Sequence, residues 1–511
     1  MESHGPYLGS EPGVPRSTYV FVALALVLIS FSVFLMGTPE IYLAAACALC
    51  GDLYILWVSG RTEADDAPRL SYGLSPLLLV GVVPAAVTTV LGLDGWLGPP
   101  TEAAFVVVLT TGFSISLLVS TFPIPLAVKY KAMVSKRPPT AKATPYVSIL
   151  VPAYNEQAVI SRTLESLVNL NYDRKEVIVI DDGSADLTAS IASWYKKYGI
   201  KVLRKPNGGK ASALNYGILY AKGEVLIMLD SDSMVARDSV RRIVSLMADD
   251  PHVVAVAGNI KVLNARSVLA RIQTLEYAMA INTIRRAYSL FGTVMIVPGA
   301  FGAFRKREVA SVGGYDRDTV TEDFDLTIKL LKTRGTVTST ITGVAYTEVP
   351  STWRSLYSQR LRWNTGTFQT VSKHRDVFFN PRYQRLHSFV FPMVLLSLFN
   401  PIASFAVLGG GIALALSGAP LLFLEMLVVF TLIQFFVALI ALSLDGESYR
   451  LAAYSPFFVV FYKQFLDFVT LVSAFKAATT GSGEWGKLKR EGGTGAIKVP
   501  TGRVSSGGDL R

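Results

Sequence analysis

The sequence is poor in charge, cysteine and histidine for its length. Charged residues make up 17% of the 511 residues and hydrophobic residues 51%, and there are 4 histidines. This balance excludes a disordered chain, a coiled coil and a typical cytosolic enzyme, and it indicates a membrane protein with a soluble part. The two cysteines, Cys47 and Cys50, share one apolar run with no histidine nearby, which argues against a disulfide framework and a zinc site.

The net charge is +11, from 49 Lys and Arg against 38 Asp and Glu. In a membrane protein, such an excess collects in cytoplasmic loops, so we expect no nucleic-acid partner. A length of 511 residues exceeds one ordinary domain, and we therefore expect at least two structural units.

Long apolar runs flank a less apolar middle section. The runs before the middle section approach or exceed the roughly 20 residues that are needed to span a hydrocarbon core. Four runs precede the middle section and three follow it: 19–36, 41–59, 70–93 and 103–128, then 386–417, 420–444 and 451–475.

Basic residues alternate between the loops that join the first four runs. The short links at 37–40 and 94–102 have no Lys or Arg. The other two loops contain Arg61 and Arg69, then Lys129, Lys131, Lys136 and Arg137. The positive-inside rule therefore predicts that the N-terminus and everything after residue 129 face the cytoplasm.

The last apolar run is ambiguous. It contains Lys463 and Asp467 near its middle, which is costly in lipid. If 451–475 spans the membrane, the basic segment after it lies outside, against the positive-inside rule. An in-plane or re-entrant segment avoids this conflict, and we favour it slightly.

The middle section alternates short β-rich runs with helical patterns. The β-rich runs are Tyr146–Val151, Glu176–Ile180 and Glu224–Leu229, and the helical patterns are 157–170, 187–198 and 236–249. This alternation predicts a parallel, doubly wound α/β sheet covered on both faces. Ligands bind such sheets beyond the carboxyl ends of the strands.

Each of these three predicted strands ends in a polar cluster. The clusters are Tyr154-Asn155-Glu156, Asp181-Asp182-Gly183-Ser184 and Asp230-Ser231-Asp232. Three clusters at three strand ends predict one site. Two carboxylates in Asp230-Ser231-Asp232 suit Mg²⁺ or Mn²⁺, which offsets charge on a diphosphate leaving group. The simpler interpretation of that cluster is a solvated acidic turn, and that of Asp181–Ser184 is an Asx turn.

Lys210 follows Asn207-Gly208-Gly209 and opens a helical pattern. The segment is not a Walker A motif, because Arg204 and Ala211 stand where that motif needs Gly and Ser or Thr. A lysine beside free backbone N–H groups could still hold a diphosphate.

Two later motifs have simple structural explanations when taken alone. Thr321-Glu322-Asp323 fits an ordinary capped helix start with acidic residues in its first turn. Gln359-Arg360-Leu361-Arg362-Trp363 fits a basic interfacial helix, although an Arg beside a Trp also suits a site for a phosphate and a sugar ring.

Taken in order, these motifs resemble the membrane-integrated processive β-glycosyltransferases of family 2. That family includes cellulose, chitin, hyaluronan and poly-N-acetylglucosamine synthases, and the segment from Gln273 to Arg286 is most similar to the last of these. The resemblance implies a Rossmann-like α/β fold of the GT-A type, a UDP-sugar donor and a growing polysaccharide acceptor. The sequence departs from the pattern of this branch in one respect. It has four predicted spans before the catalytic domain, whereas many relatives of that branch have two.

The resemblance also implies roles for individual residues. Asp323 would be the general base, grouped with Glu322 and Asp230 as catalytic residues. Asp230 and Asp232 would bind Mg²⁺ or Mn²⁺. The substrate-binding residues would be Tyr154, Glu156 and Asp182 at the uridine, Lys210, Gln359 and Arg362 at the diphosphate, and Gly299 and Trp363 at the acceptor sugar. The simpler interpretation of the Gly299 segment is a buried turn.

The expected organisation has five parts. They are an N-terminal membrane block of about four spans (1–130), a cytoplasmic GT-A domain (145–350), amphipathic interface helices (351–385), a C-terminal membrane block of two to four spans (386–476) and a flexible basic tail (477–511). The expected location is the plasma membrane, with the lipid bilayer as partner and an accessory subunit left open.

Three functions are compatible with the sequence. The leading one is a processive inverting hexosyltransferase, with N-acetylglucosamine as the favoured sugar, that exports its polysaccharide through its own membrane region. The second is a non-processive transferase that adds one sugar to a lipid carrier or glycolipid. The third, a transporter or receptor that senses a nucleotide, fits the charges in the last run but not five catalytic motifs in order.

Overall fold

The structure is a computed structural model that describes residues 13–36, 39–60, 74–93, 100–136, 144–418 and 420–479. The loop arginines Arg61, Arg69 and Arg137 lie outside the described residues. The same holds for 480–511, which is nearly all of the predicted tail.

The predicted apolar runs at the N-terminal end are helices. They are α1 (Arg16–Met36), α2 (Pro39–Gly60), α3 (Leu74–Leu93), α4 (Pro100–Thr121) and α5 (Pro123–Val134). Helix α2 packs against α3 and α4, and α5 packs against the helix at 283–289 of the middle section. The Tyr130 hydroxyl on α5 donates to the Ser339 carbonyl at 2.6 Å, so α5 is anchored to the middle section.

The middle section contains one eight-stranded sheet. Its strands are β1 (Val147–Ala153), β2 (Lys175–Asp181), β3 (Ile200–Arg204), β4 (Val225–Met228), β5 (Ser233–Val235), β6 (Val253–Val262), β7 (Gly302–Arg305) and β8 (Thr336–Thr347). Their spatial order is β3-β2-β1-β4-β7-β6-β8-β5. The three predicted strands are confirmed as β1, β2 and β4.

The sheet is mixed, so the prediction of a wholly parallel sheet is wrong. Strands β3, β2, β1 and β4 are parallel, but β7 runs antiparallel to both β4 and β6. Strand β3 was also missed, because a short strand at the edge of the sheet, with charged residues, lacks a continuous apolar run. The predicted α/β architecture is otherwise confirmed.

Helices cover both faces of this sheet. They are α6 (Ile160–Val168), α7 (Thr188–Trp194), α8 (Lys210–Tyr220), α9 (Ser239–Ala248), α10 (Val268–Glu276), α11 (Thr283–Ser289), α12 (Lys306–Ser311), α13 (Glu322–Lys332) and α14 (Trp353–Lys373). Alternate residues of each central strand face opposite cores: Ile149 and Val179 pack with α6, whereas Leu150 and Ile178 share a core with α8.

The C-terminal end returns to apolar helices. They are α15 (Phe391–Leu416), α16 (Leu421–Asp445), α17 (Ser455–Phe457) and α18 (Lys463–Thr479). Helix α18 packs along α14 and α15. Lys463 on α18 pairs with Asp467 at 2.5 Å and donates to Ser404 on α15 at 3.1 Å, so these charges are satisfied within the helix bundle.

Among the described residues, five helical stretches are long and apolar enough to cross a membrane. They are Pro39–Trp57, Glu102–Val134, Leu386–Leu416, Leu421–Asp445 and Tyr449–Thr479. The runs predicted at 19–36 and 70–93 form α1 and α3, which are not among the five. The run predicted at 451–475 is among them by length and composition, and its in-plane orientation stays a prediction.

A buried ion pair joins the middle section to the end of α16. The guanidinium of Arg286 on α11 pairs with the Asp445 carboxylate, and both side chains are almost fully buried. Asn282 donates to the other oxygen of Asp445 at 3.0 Å. Lys261 donates to the Asp445 carbonyl at 2.9 Å and to Glu447 at 2.8 Å. The end of this apolar helix is therefore held by three polar side chains of the soluble part.

We expect Arg286→Met to lower the thermal stability of the full chain in lipid or detergent. The substitution leaves Asp445 buried without its cation, which costs about 3–5 kcal/mol in comparable pairs. Arg307→Ala is the control, because the Arg307 side chain in the pair with Glu308 is 92% exposed and such pairs contribute little. Equal melting temperatures for the two variants would contradict the assignment.

Candidate active site

The carboxyl ends of β1, β2 and β4 open into a cavity of about 520 Å³. This volume is in the range of small-molecule sites. All twelve site residues predicted from the sequence line it, namely Tyr154, Glu156, Asp182, Lys210, Asp230, Asp232, Gly299, Glu322, Asp323, Gln359, Arg362 and Trp363. Residues that are up to 209 positions apart in the sequence therefore meet in one place.

Hydrogen bonds join the loop after β1 to the segment that follows β2. The backbone N–H of Asn155 donates to the Ser184 hydroxyl at 2.9 Å, and the N–H of Glu156 donates to the Thr188 hydroxyl at 2.7 Å. Asn155 has a φ of 52°, a left-handed conformation that Asn tolerates better than most residues. The first two polar clusters thus form one rigid rim.

Asp182 holds the loop that precedes Lys210. Its carboxylate accepts from the backbone N–H of Gly208 at 3.1 Å, from that of Gly209 at 2.8 Å and from the Lys205 ammonium at 2.6 Å. The φ of Gly209 is 84°, a conformation that favours glycine just before α8 begins. The Asp182 side chain is almost fully buried, so the predicted simple turn is in fact an anchored loop beside the cavity.

Lys210 lies among carboxylates. Its ammonium is 2.7 Å from Asp230 Oδ1 and 3.1 Å from Glu322 Oε1. Burial alone would lower the pKa of Lys210, but the carboxylates of Asp230, Glu322 and Asp323 outweigh it and hold that pKa above its usual range. Lys210 is therefore a permanent cation beside Asp230.

Gly299 leaves room for this ion pair. A Cβ at position 299 would lie 3.2 Å from Asp230 Oδ1 and would collide with the Lys210 ammonium. The backbone N–H of Gly299 also donates to Asp323 Oδ2 at 3.3 Å. This position is thus more than a buried turn, because its N–H contacts Asp323 and its lack of a side chain leaves room for the pair of Lys210 with Asp230.

Asp323 lies at the start of α13, facing the cavity. Its Oδ1 accepts from the Phe324 N–H at 2.8 Å. Burial, and then the neighbouring Glu322 carboxylate, raise the pKa of Asp323 to about 6, although Lys210 opposes the shift. A carboxylate with this pKa is ionised at neutral pH and is a better proton acceptor than an ordinary aspartate.

The two arginines of the motif on α14 have different environments. Arg360 is buried, donates to Glu276 Oε2 at 2.7 Å and lies 4.2 Å from the centroid of the Trp363 ring. Arg362 faces the cavity and has no hydrogen-bond or ion-pair partner among the described residues. Trp363 also lines the cavity, so the interpretation of this motif as a headgroup-facing helix is wrong for Trp363.

Sequence reasoning missed Glu276 and Tyr462. The Tyr462 hydroxyl donates to Glu276 Oε2 at 2.6 Å, the same oxygen that accepts from Arg360. A single carboxylate therefore joins α10, the motif helix α14 and the last apolar stretch. No local pattern marks Glu276, because its partners are 84 and 186 residues away.

A second group of carboxylates lies outside the cavity. Asp316, Asp318 and Asp325 are close enough together to suggest a metal site. The Lys373 ammonium, however, lies 2.7, 2.8 and 2.9 Å from one oxygen of each. This group is therefore a salt-bridge cluster that joins α13 to the end of α14.

Comparison with known proteins identifies the central part of the chain. Residues 148–312 match the family Glycosyl transferase family 2. The chain is 35% identical over 260 residues to the poly-beta-1,6-N-acetyl-D-glucosamine synthase of Staphylococcus aureus and 34% identical to that of Staphylococcus epidermidis. Each match covers 50% of this chain and 61% of the relative, so the chain spans less than two thirds of these relatives.

A solved structure shows the same fold. The mannosyltransferase of Pyrobaculum calidifontis, in complex with GDP-Man and Mn²⁺, aligns with a TM-score of 0.55 and 22% identity. The alignment covers 74% of this chain and 99% of that one. The mixed sheet with its cavity is therefore a fold of the GT-A type.

We expect Asp182→Ala to loosen the loop at 205–209. The substitution removes a charged acceptor from two backbone N–H groups, each hydrogen bond contributing about 1.5–3 kcal/mol. Hydrogen exchange at Gly208 and Gly209 should accelerate by about 10-fold or more. Asp186→Ala is the control, because the Asp186 carboxylate accepts from the Thr188 N–H in a different loop. Unchanged exchange at 208–209 in Asp182→Ala would refute the anchoring role.

Proposed function

We propose that the chain, whose residues 148–312 match the family Glycosyl transferase family 2, is a processive inverting β-glycosyltransferase. It polymerises a sugar, favoured to be N-acetylglucosamine, from a UDP-sugar. The observation that supports this most directly is the single cavity lined by all twelve predicted residues. The similarity to two poly-beta-1,6-N-acetyl-D-glucosamine synthases supports the choice of sugar.

The donor binds along the rim made by the ends of β1, β2 and β4. Tyr154, Glu156 and Asp182 contact the uridine. Asp182 also keeps the 205–209 loop in place, so that Lys210 stands at the start of α8 facing the diphosphate. Arg362, which lacks a carboxylate partner among the described residues, and Gln359 complete the diphosphate site from α14.

Asp230 and Asp232 suit a divalent cation, Mg²⁺ or Mn²⁺. Both line the cavity from the turn after β4, and carboxylate oxygens are the ligands that such ions prefer. A bound cation supplies charge neutralisation at the diphosphate leaving group. The Mn²⁺ bound by the mannosyltransferase of similar fold agrees with this assignment.

Asp323 accepts the proton of the acceptor hydroxyl. The hydroxyl oxygen then forms a bond to the anomeric carbon of the donor from the face opposite the diphosphate, and the bond between that carbon and the phosphate oxygen breaks. The electron pair leaves with UDP, which the cations Lys210 and Arg362 stabilise. Trp363, held by Arg360, offers its ring face to the acceptor sugar.

The membrane arrangement follows from the helices on both sides of this domain. We assign 1–130 and 386–476 as membrane blocks, 145–350 as the cytoplasmic GT-A domain and 351–385 as the interface helices, with a tail at 477–511. Polymer made in the cavity passes outward through the membrane blocks of the plasma membrane. Buried ion pairs such as that of Arg286 with Asp445 fix the position of the cavity relative to these helices.

The first test measures UDP release and product size with purified full chain in lipid. UDP-N-acetylglucosamine, UDP-glucose and UDP-glucuronic acid are offered singly and mixed, with Mg²⁺ or Mn²⁺. We expect a high-molecular-weight product from UDP-N-acetylglucosamine alone. A short or lipid-linked product would show that the chain transfers single sugars and does not polymerise them. The absence of UDP release from every donor would refute the proposal.

The second test concerns the base. We expect Asp323→Asn to reduce transfer by at least about 100-fold while UDP affinity stays close to that of the wild type. Asp318→Asn is the control, because Asp318 is exposed and lies outside the cavity. Retained polymer synthesis in Asp323→Asn would refute the base assignment.

The rate should also depend on pH through Asp323. The charged and titratable groups that influence it are Glu322, Lys210, Arg285 and Tyr315. Because the raised pKa is about 6, the active carboxylate is lost as the pH falls through that value. Glu322→Gln removes the like charge and should move the acidic limb of kcat to lower pH. A rate that is flat through this range would contradict the assignment.

A further inference from the structure

One wall of the cavity is a single helical face. The residues of this face are Tyr277, Ala280, Ile281, Ile284, Arg285 and Tyr288, which recur at helical spacing on the π-helical stretch Tyr277–Asn282 and on α11. Five of these six side chains are apolar or aromatic. Arg285 is the one charged group on this face.

Arg285 forms no ion pair with a carboxylate of the described residues. Its Nη1 is buried, and the side chain makes no hydrogen bond or ion pair within the described part of the chain. Its neighbour Arg286 pairs with Asp445, and the buried Arg360 pairs with Glu276. The Arg285 side chain is half-buried, but a buried guanidinium nitrogen without an acceptor is costly, so the free Nη1 indicates that a ligand in the cavity supplies an oxygen.

From the position of Arg285, we assign its ligand to the acceptor sugar and not to the donor. The proposed donor groups lie at the strand ends and on α14, whereas Arg285 belongs to the helical wall at 277–288. Asp323, the proposed base, is close enough for its carboxylate to act on the Arg285 charge. The base must reach the acceptor hydroxyl, so a side chain that lies beside the base contacts the acceptor sugar.

The chemistry of this wall selects one kind of acceptor group. A guanidinium donates hydrogen bonds and accepts none, so it favours a carbonyl or hydroxyl oxygen and repels an ammonium. Ile281 and Ile284 next to it offer apolar contact suited to a methyl group. An acetamido group has both features, a carbonyl oxygen and a methyl.

We propose that Arg285 donates to the acetamido carbonyl oxygen of the acceptor sugar while Ile281 and Ile284 contact its methyl group. This inference rests on the proposed function and narrows it, because the acceptor must then be N-acetylated. A free amine on the acceptor sugar loses the carbonyl and, when protonated, places a cation against Arg285.

The test compares two acceptors on the full chain in lipid: an N-acetylglucosamine oligosaccharide and its N-deacetylated form. Initial rates of UDP release give kcat and KM for each. We expect Arg285→Ala to raise KM for the N-acetylated acceptor by about 10- to 100-fold, the contribution of a hydrogen bond from a charged donor. The KM for the donor should not change, and Arg285→Lys should recover part of the loss.

Arg286→Lys is the matched control. It alters the neighbouring guanidinium, which faces Asp445, so it should leave the preference for the N-acetylated acceptor unchanged. An equal loss for both acceptors in Arg285→Ala would overturn the proposal. So would a raised donor KM with an unchanged acceptor KM, which would move Arg285 to the diphosphate.

Equilibrium binding separates this inference from the proposed function. Affinity of the labelled N-acetylated oligosaccharide is measured for wild type and Arg285→Ala without any donor. A loss of about 10-fold or more in the variant supports the assignment even if no UDP-sugar is turned over. Equal affinities would overturn it even if the wild type proves to be a polymerase.

Discussion

The parallel register of β1 with β2 and β4 decides where the chemistry of this protein takes place. Ala153 pairs with Asp181, so β1 and β2 end at the same level. Met228, the last residue of β4, pairs with Leu150, so Asp230 follows β4 at about the level where β1 ends. The polar residues that follow each strand then share one edge of the sheet. A slip of one residue in either pairing would exchange the two buried faces of the strand and separate these clusters.

Charge balance in the cavity depends on substrate binding. Lys210 bridges Asp230 and Glu322, while Arg285 and Arg362 lack carboxylate partners among the described residues. A diphosphate and an acceptor sugar supply the oxygens that such cations prefer. The raised pKa of Asp323 has the same origin, because a second carboxylate beside a buried one penalises the ionised form. This charge arrangement is consistent with the proposed transfer reaction.

Buried polar contacts join this cavity to the apolar helices. Glu276 accepts from Arg360 and Tyr462, and thereby fixes the ring of Trp363 relative to the last apolar stretch. Arg286 and Asp445 do the same at the end of α16. Pairs of this kind add little net stability compared with apolar packing, but they penalise every arrangement that leaves one partner unpaired. In the proposed function, such contacts would hold the acceptor site in a fixed position relative to the membrane helices.

Much of the fold and of the site followed from local patterns. Apolar runs, strand–helix alternation and polar clusters at strand ends depend on neighbouring residues, so β1, β2 and β4 with the polar residues at their ends could be predicted from the sequence. The later site residues followed from the resemblance to a known family: Gly299, Glu322, Asp323, Gln359, Arg362 and Trp363. The antiparallel β7 and the edge strand β3 could not, because pairing direction and strand order depend on contacts between distant segments.

The arginine pairs show this limit most clearly. Arg285 and Arg286 are adjacent, and Arg360 and Arg362 share one motif, yet one of each pair is neutralised and the other faces the cavity. The sequence by itself determined only that these four cations occur in two short segments. Tertiary structure alone decided which of them remain available to a ligand, because their carboxylate partners Asp445 and Glu276 come from segments 159 and 84 residues away.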